Sequence, residues 1–292
     1  MLTQVFKKVR RVLWIILFAN LGVAAVKIVI GMLIQSVSLT ADGFHSITDG
    51  SSNIVGLIGI RLAYKPVDED HPYGHRKFET LAGLYIAGML FFVSGKIIIE
   101  AIGRFMNPVS SNISTESLIA LVVTCIINVF VCIYENNQGK RLNSQILISD
   151  SMHTRSDIFV SVGVLATLIG IKLGLSSTID PIVSLIVAGF IIHAAIGIFK
   201  DNSDVLVDKA VVDKEKIKSL TLGFEQVKDT HNIRSRGNDI DLHIDMHIMT
   251  EPDMSIEESH QLIHCIEDQL RKETNKNVQV LAHFEPYIEK SG

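Results

Sequence analysis

The sequence predicts a membrane protein in two parts: an all-α bundle of six transmembrane helices over residues 1–204, and a cytosolic α+β domain of order αββαβ over 205–292. Three observations carry this. Of the 292 residues, 48% are hydrophobic and the mean hydropathy is positive, which is too apolar for an ordinary soluble domain of that length. Long runs of Ile, Val, Leu, Ala and Gly fill the first two thirds and stop near Lys200. From residue 201 onward, 11 Lys and Arg stand against 19 Asp and Glu, a net of about −8, which leaves the first part at about +4.

A span needs about 20 mostly apolar residues to cross roughly 30 Å of hydrocarbon. Six segments qualify: 12–34, 38–62, 81–102, 117–134, 146–173 and 182–199. The first follows Lys7, Lys8, Arg10 and Arg11, is longer than a signal-peptide core and lacks a small-residue cleavage site, so it reads as a retained span. An even number of spans puts both termini on one side. Lys65, Arg76 and Lys77 lie in the loop 64–78, and Lys140 and Arg141 in an expected loop 135–145, whereas the opposite connections hold only Arg104 and Lys172. The positive-inside rule therefore places both termini in the cytoplasm. Cys125, Cys132 and Cys265 form no CxxC and read as packing residues rather than as a disulfide framework or thiolate metal site.

In the tail, 211–222 reads as a helix and 227–236 as an extended segment. Ile240, Leu242, Ile244, Met246 and Ile248 alternate with Asp241, His243, Asp245 and His247, the period of a half-buried strand. Ser255, with Glu258 three residues on, caps a charged amphipathic helix to about Lys272. Residues 278–284 close as a third strand. This order is that of a small open-faced sandwich of about 90 residues, ferredoxin- or metallochaperone-like in build.

The chemistry is concentrated in a repeated pattern: Asp42-x2-His45-x3-Asp49 in the second span and Asp150-x2-His153-x3-Asp157 in the fifth. Offsets of three, four and seven put each trio on one helix face. Ionisable groups at membrane depth face a cavity or a partner rather than lipid. In antiparallel spans rising 1.5 Å per residue, Asp49 and Asp157 both fall roughly 15–20 Å from their own side, near the midplane. His45, Asp49, His153 and Asp157 then offer two imidazoles and two carboxylates, a tetrahedral shell for a divalent ion whose charge the carboxylates neutralise. Asp42 and Asp150 read either as staging positions on the outer and inner paths or as hydrated carboxylates near span ends. Asn20, Lys27, Asn53, Asn128 and His193 lack such pairing and read as interhelical hydrogen-bonding or snorkelling residues.

Two further clusters have metal-ligand chemistry. Asp68, His71 and His75 flank a Pro-Tyr-Gly turn that can bring the two rings together; a solvated charged loop is the alternative. In the tail, His231, His247, His260 and His283 come from different elements, and Glu285 shares a strand face with His283. They make a metal site if they converge, and scattered surface histidines if they do not.

Together, six spans, an acidic αββαβ tail and the HPYGH-x-K-x-E string at 71–79 resemble the cation diffusion facilitator family of metal/proton antiporters over nearly the whole chain. The resemblance implies a transport site at His45, Asp49, His153 and Asp157, a loop site at Asp68, His71 and His75, and a cytosolic two-metal site at His231, His247, His260, His283 and Glu285. Glu285 stands where Asp is common, which keeps a carboxylate on a longer arm. The resemblance also implies a homodimer stabilised by Lys77 and Asp208, with cytosolic domains drawn together by metal, and transport by alternating access.

The function expected is efflux of a divalent metal across the plasma membrane, with lipid as the solvent, protons as the counter-substrate and no nucleic-acid partner. Ligands shed protons to bind metal, so exchange follows from competition. Histidine, with an unperturbed pKa near about 6.5, suits that role. Imidazole favours Zn2+ over harder ions such as Mn2+, so Zn2+ is the leading cargo, with Fe2+, Co2+, Cd2+ or Mn2+ as alternatives. A membrane-anchored metal sensor has no need of the duplicated His-x3-Asp faces. A metallohydrolase would want an open metal position and a separate general base, and no HExxH, nucleophile elbow or phosphate-binding Gly loop is present; the chain does not read as an enzyme.

Overall fold

The structure is a computed structural model and describes residues 2–33, 46–47, 50–106, 115–173, 179–238 and 240–288. The chain divides into two compact units, 1–203 and 204–292.

The helices that reach or lie in the first unit are α1 (Leu2–Leu33), α2 (Ser51–Ala63), α3 (Lys77–Met106), α4 (Thr115–Leu142), α5 (Gln145–Lys172) and α6 (Ile179–Leu206). Four of them, α1, α3, α4 and α6, are long and apolar enough to cross a membrane. Large side chains such as Phe18, Phe92, Phe130 and Phe190 stand exposed on them, as lipid-facing residues do. The six-span expectation is not met by these measures alone. Described α2 has 13 residues, and α5, with 28, carries Asp150, Arg155 and Asp157. The rest of the second expected span, with Asp42, His45 and Asp49, lies outside the described residues.

Most helices run past their expected ends, because charged end turns that read as loops continue the backbone. The clearest correction concerns 135–145, expected as a loop. Helix α4 instead continues to Leu142, and α5 starts at Gln145. Asn143 takes a left-handed φ of 48°, a conformation Asn tolerates, and lets the chain reverse in two residues. Gly139 makes the hairpin tight: a Cβ there would lie 2.9 Å from Ile148.

Two apolar clusters hold the bundle. One joins Val9, Leu13 and Ile16 of α1 to Ile60, Ala82, Ile86, Ile146 and Leu147. The other joins Ala87 and Leu90 of α3 to Val187, Ile191, Ala195 and Ile198 of α6. At the first, α2 and α3 approach until a Cβ on Gly59 would meet that of Ala82 at 2.6 Å.

The second unit follows the expected order closely: α7 (Lys214–Thr221), β1 (Asp229–Gly237), β2 (Asp241–Thr250), α8 (Ile256–Thr274) and β3 (Asn277–Pro286). The sheet order is β1-β2-β3, with β1 antiparallel and β3 parallel to the central strand. Leu242, Ile244, Met246 and Ile248 pack with Ile217 of α7 and Leu262, Ile266 and Leu270 of α8, so both helices cover one face. Helix α8 begins with the expected capping box: the Glu258 N–H donates to Ser255 Oγ at 3.2 Å, and the Ser255 N–H donates to Glu258 Oε2 at 2.8 Å. Ile244 is fully buried, and Ile244→Ala is expected to destabilise this unit by about 2–5 kcal/mol, read as an earlier midpoint in chemical denaturation of the full-length protein.

Candidate metal sites

Helix α5 carries the expected fifth-span trio. His153 is 4% exposed, and neither ring nitrogen has a hydrogen-bond partner among the described residues. Buried polar atoms are nearly always satisfied, so an imidazole in this state is suited to a ligand. It lines a small cavity of about 30 Å3 with Asp157, Lys27, Asn20, Asn128, Ser46, Ser52 and Thr154, room on the scale of a water molecule or two. Ser46 directly follows His45; His45 and Asp49 themselves lie outside the described residues. Of the two readings of Lys27 the hydrogen-bonding one holds: it is 8% exposed and donates to Ser46 Oγ at 3.0 Å, which puts a cation beside the expected site.

Asp150 settles one of the two readings left open. It is 1% exposed, so it is not a hydrated carboxylate at a span end. The Asn20 amide donates to Asn53 Oδ1 at 2.9 Å, and the Asn53 amide donates to Asp150 Oδ2. These are the interhelical bonds expected of both asparagines.

The loop cluster converges. His71 Nδ1 lies 3.1 Å from Asp68 Oδ1, His75 Nε2 lies 3.3 Å from Asp68 Oδ2, and the ring centroids are 4.3 Å apart. His75 is buried and its Nδ1 has no partner. Desolvation, the largest single influence on Asp68, raises its pKa. Hydrogen bonds from the His71 ring and backbone, with the His75 and His71 charges, outweigh that and hold the carboxyl below its ordinary range. Asp68 therefore stays ionised at neutral pH, and its contribution to the loop is lost only as pH falls through that lowered value. Gly74, with φ 83°, gives the turn a conformation that glycine adopts without strain.

The same string ends in a residue whose role the sequence did not show. Glu79, 7% exposed, accepts from the Ser144 hydroxyl at 2.6 Å and the Ile146 N–H at 3.3 Å. It caps the first turn of α5 from α3 and so fixes the helix that carries His153 and Asp157.

In the second unit the register places His231, His247 and His283 in one cross-strand row. The row needs a bulge between His231 and Arg234, where Asn232 has φ 51°. Neighbouring ring centroids are 5.1 and 4.9 Å apart. Glu285 sits among them, its carboxylate oxygens 2.7 Å from His247 Nδ1, 3.3 Å from His231 Nε2 and 3.9 Å from His283 Nε2. His260 does not join this row within the single chain. It lies on α8, which packs on the opposite, apolar face of the sheet, and its Nε2 is 3.2 Å from that of His264. Helical periodicity revealed an amphipathic helix but not the face of the sheet it would cover.

Comparison with known proteins agrees with this architecture. Residues 13–207 match the model of the cation efflux transmembrane domain, and residues 211–287 that of the cation efflux protein cytoplasmic domain. The chain is 31% identical over 288 residues to the manganese efflux system protein MneP of Bacillus subtilis, covering 96% of this chain and 97% of that protein. It is 32% identical over 275 residues to an uncharacterized transporter of Methanocaldococcus jannaschii, covering 94% and 96%. It is 29% identical over 287 residues to metal tolerance protein C1 of Arabidopsis thaliana, covering 92% of this chain and 61% of that protein. The chain belongs to the cation efflux, or cation diffusion facilitator, family, and is a membrane transporter of divalent cations with a C-terminal cytoplasmic domain.

Proposed function

We propose that this transporter carries a divalent transition-metal ion out of the cytoplasm in exchange for protons, with His45, Asp49, His153 and Asp157 as the transport ligands and Zn2+ as the best-fitting cargo. The observation that carries the reading is His153, buried beside Asp157 in a small polar cavity with both ring nitrogens unpartnered. Two imidazoles and two carboxylates match the donor set of zinc. Metal and protons compete for the same ligands, so a proton gradient drives release.

The remaining parts follow from the same chemistry. Six spans with both termini in the cytoplasm of a plasma-membrane protein fit the Lys and Arg distribution. The loop cluster and the row His231, His247, His283 with Glu285 take up further ions, and the acidic tails of a homodimer repel less once cations are bound. A sensor that only anchors its tail would not need a buried, unpartnered imidazole within the bundle.

A second cargo, Mn2+, is favoured by one observation: two relatives at 31% identity are named manganese efflux system proteins. Uptake into inside-out vesicles separates the two. The expected outcome is faster accumulation of Zn2+ than of Fe2+ or Mn2+, driven by an imposed pH gradient; preferential Mn2+ uptake would establish the second reading. Asp157→Ala should lower metal flux at least tenfold with the protein still inserted, as read by radiometal accumulation against expression level. Glu285→Ala should weaken binding at the cytosolic cluster by at least about tenfold, the least that losing even an outer partner of a metal ligand costs, while leaving one transport-site ion per chain in a chelator competition assay.

A further inference from the structure

The solvent side of α8 carries two histidines one turn apart. An offset of four stacks His260 and His264 on one side of the helix, away from Leu262, Ile266 and Leu270, which pack on the sheet. Both histidines are exposed, and their Nε2 atoms lie 3.2 Å apart. The rings stand nearly perpendicular, with 87° between their planes and 4.5 Å between centroids. Two imidazole nitrogens at this separation, each about 2.0–2.1 Å from a shared divalent ion, subtend an angle of roughly 100° at it. That angle lies between the square and tetrahedral values, so the pair is already spaced as two adjacent ligands of one ion.

Glu267 decides which nitrogen is offered. Its buried carboxylate is anchored from two sides: Oε1 accepts from the Val280 N–H of β3 at 2.8 Å, and Oε2 accepts from Arg271 Nη2 at 2.8 Å. The same Oε2 lies 3.6 Å from His264 Nδ1. A fixed anion beside Nδ1 favours the tautomer that carries its proton there, which leaves the lone pair on Nε2, the atom that meets His260. Metal-bound imidazoles are held by carboxylates in this way. The net charge of about −8 from residue 201 onward also raises the local concentration of cations.

We propose that His260 and His264 form a cation site of their own on α8, which takes a borderline divalent ion such as Zn2+ or Cu2+. It is independent of the transport ligands. It is also separate from the row His231, His247 and His283, because α8 covers the apolar face of the sheet and the row lies on the other. Two protein ligands leave the remaining coordination positions to water. The site is therefore weaker than a cluster of three histidines and a carboxylate, and it exchanges its ion freely. It stays empty while metal only matches the stronger clusters and fills when free metal rises beyond them. A bound ion bridges one turn of the helix that closes the apolar core of the second unit, and stabilises that unit by an amount that grows with free metal.

Equilibrium dialysis of the full-length protein in detergent against rising free Zn2+ tests this. Wild type is compared with His260→Ala, with His264→Ala, and with a row variant in which His231, His247 and His283 are all replaced by Ala. Both helix positions are exposed and alanine is the best helix former, so the helix variants keep the fold. The expected result is a weak class of one ion per chain in wild type, retained in the row variant. In each helix variant it should bind at least about tenfold more weakly, the least that losing a ligand costs where losing even an outer partner costs that much. Absence of the weak class from wild type overturns the site, as does a class unchanged in His264→Ala. Loss in His260→Ala alone also overturns it, and assigns His260 to the row of a second copy. If each variant removes only half of the weak class, the imidazoles bind independently and the shared ion is refuted.

Discussion

Each ionisable or polar group that α5 carries into the bundle loses its water, and the arrangement of the neighbouring helices follows from the need to replace it. Ser149, Asp150, Ser151, His153, Thr154 and Ser156 are all buried. Their partners come from two neighbouring helices and from α5 itself: Asn53 for Asp150, Glu135 for Thr154, and α5's own Ile148 and Met152 carbonyls for Ser151 and Ser156. In hydrocarbon an unsatisfied group costs several kcal/mol, so this helix is held in one orientation more firmly than an apolar one would be. Glu79 adds a cap at its first turn. His153 stands apart, because neither of its ring nitrogens has a partner among the described residues, and it lines the cavity where Asp157 also lies.

The same physics explains what was legible in the sequence. Alternation along β2 was readable because strand period and burial coincide, and the helices α7 and α8 announced themselves by a cap and by amphipathic spacing. The duplicated His-x3-Asp pattern was readable because offsets of three and four define a helix face without any knowledge of neighbours. The path of α4 was not, because Glu135 carries a charge in isolation and only its burial, with the Thr154 hydroxyl donating to it, makes it a bundle residue. For Lys27 the sequence left hydrogen bonding and snorkelling both open, and only its burial beside Ser46 decides for the first. His260 required knowing which face of the sheet α8 covers, a tertiary fact absent from local periodicity.

The two clusters outside the cavity are built differently. At the loop, one carboxylate, Asp68, is shared by two rings on a short turn, and His75 is buried while His71 is exposed. On the sheet, backbone register does the positioning: three strands align three histidines, a bulge in β1 restores the alignment, and Glu285 reaches all three from its longer arm. The first depends on a local turn, the second on the fold of a whole domain. Glu79, at the end of the loop string, gives the first a covalently short route to α5.

The central claim is that the buried imidazole of His153 and the carboxylate of Asp157 on α5 close on the transported ion. X-ray absorption at the metal edge, recorded on Zn2+-loaded protein whose loop and sheet clusters have been removed by substitution, addresses it directly. The account predicts one ion per chain in a four-coordinate shell of nitrogen and oxygen without sulfur, with the nitrogen contribution reduced in His153→Ala. A shell that His153→Ala leaves unaltered, or no ion retained at all, would contradict it.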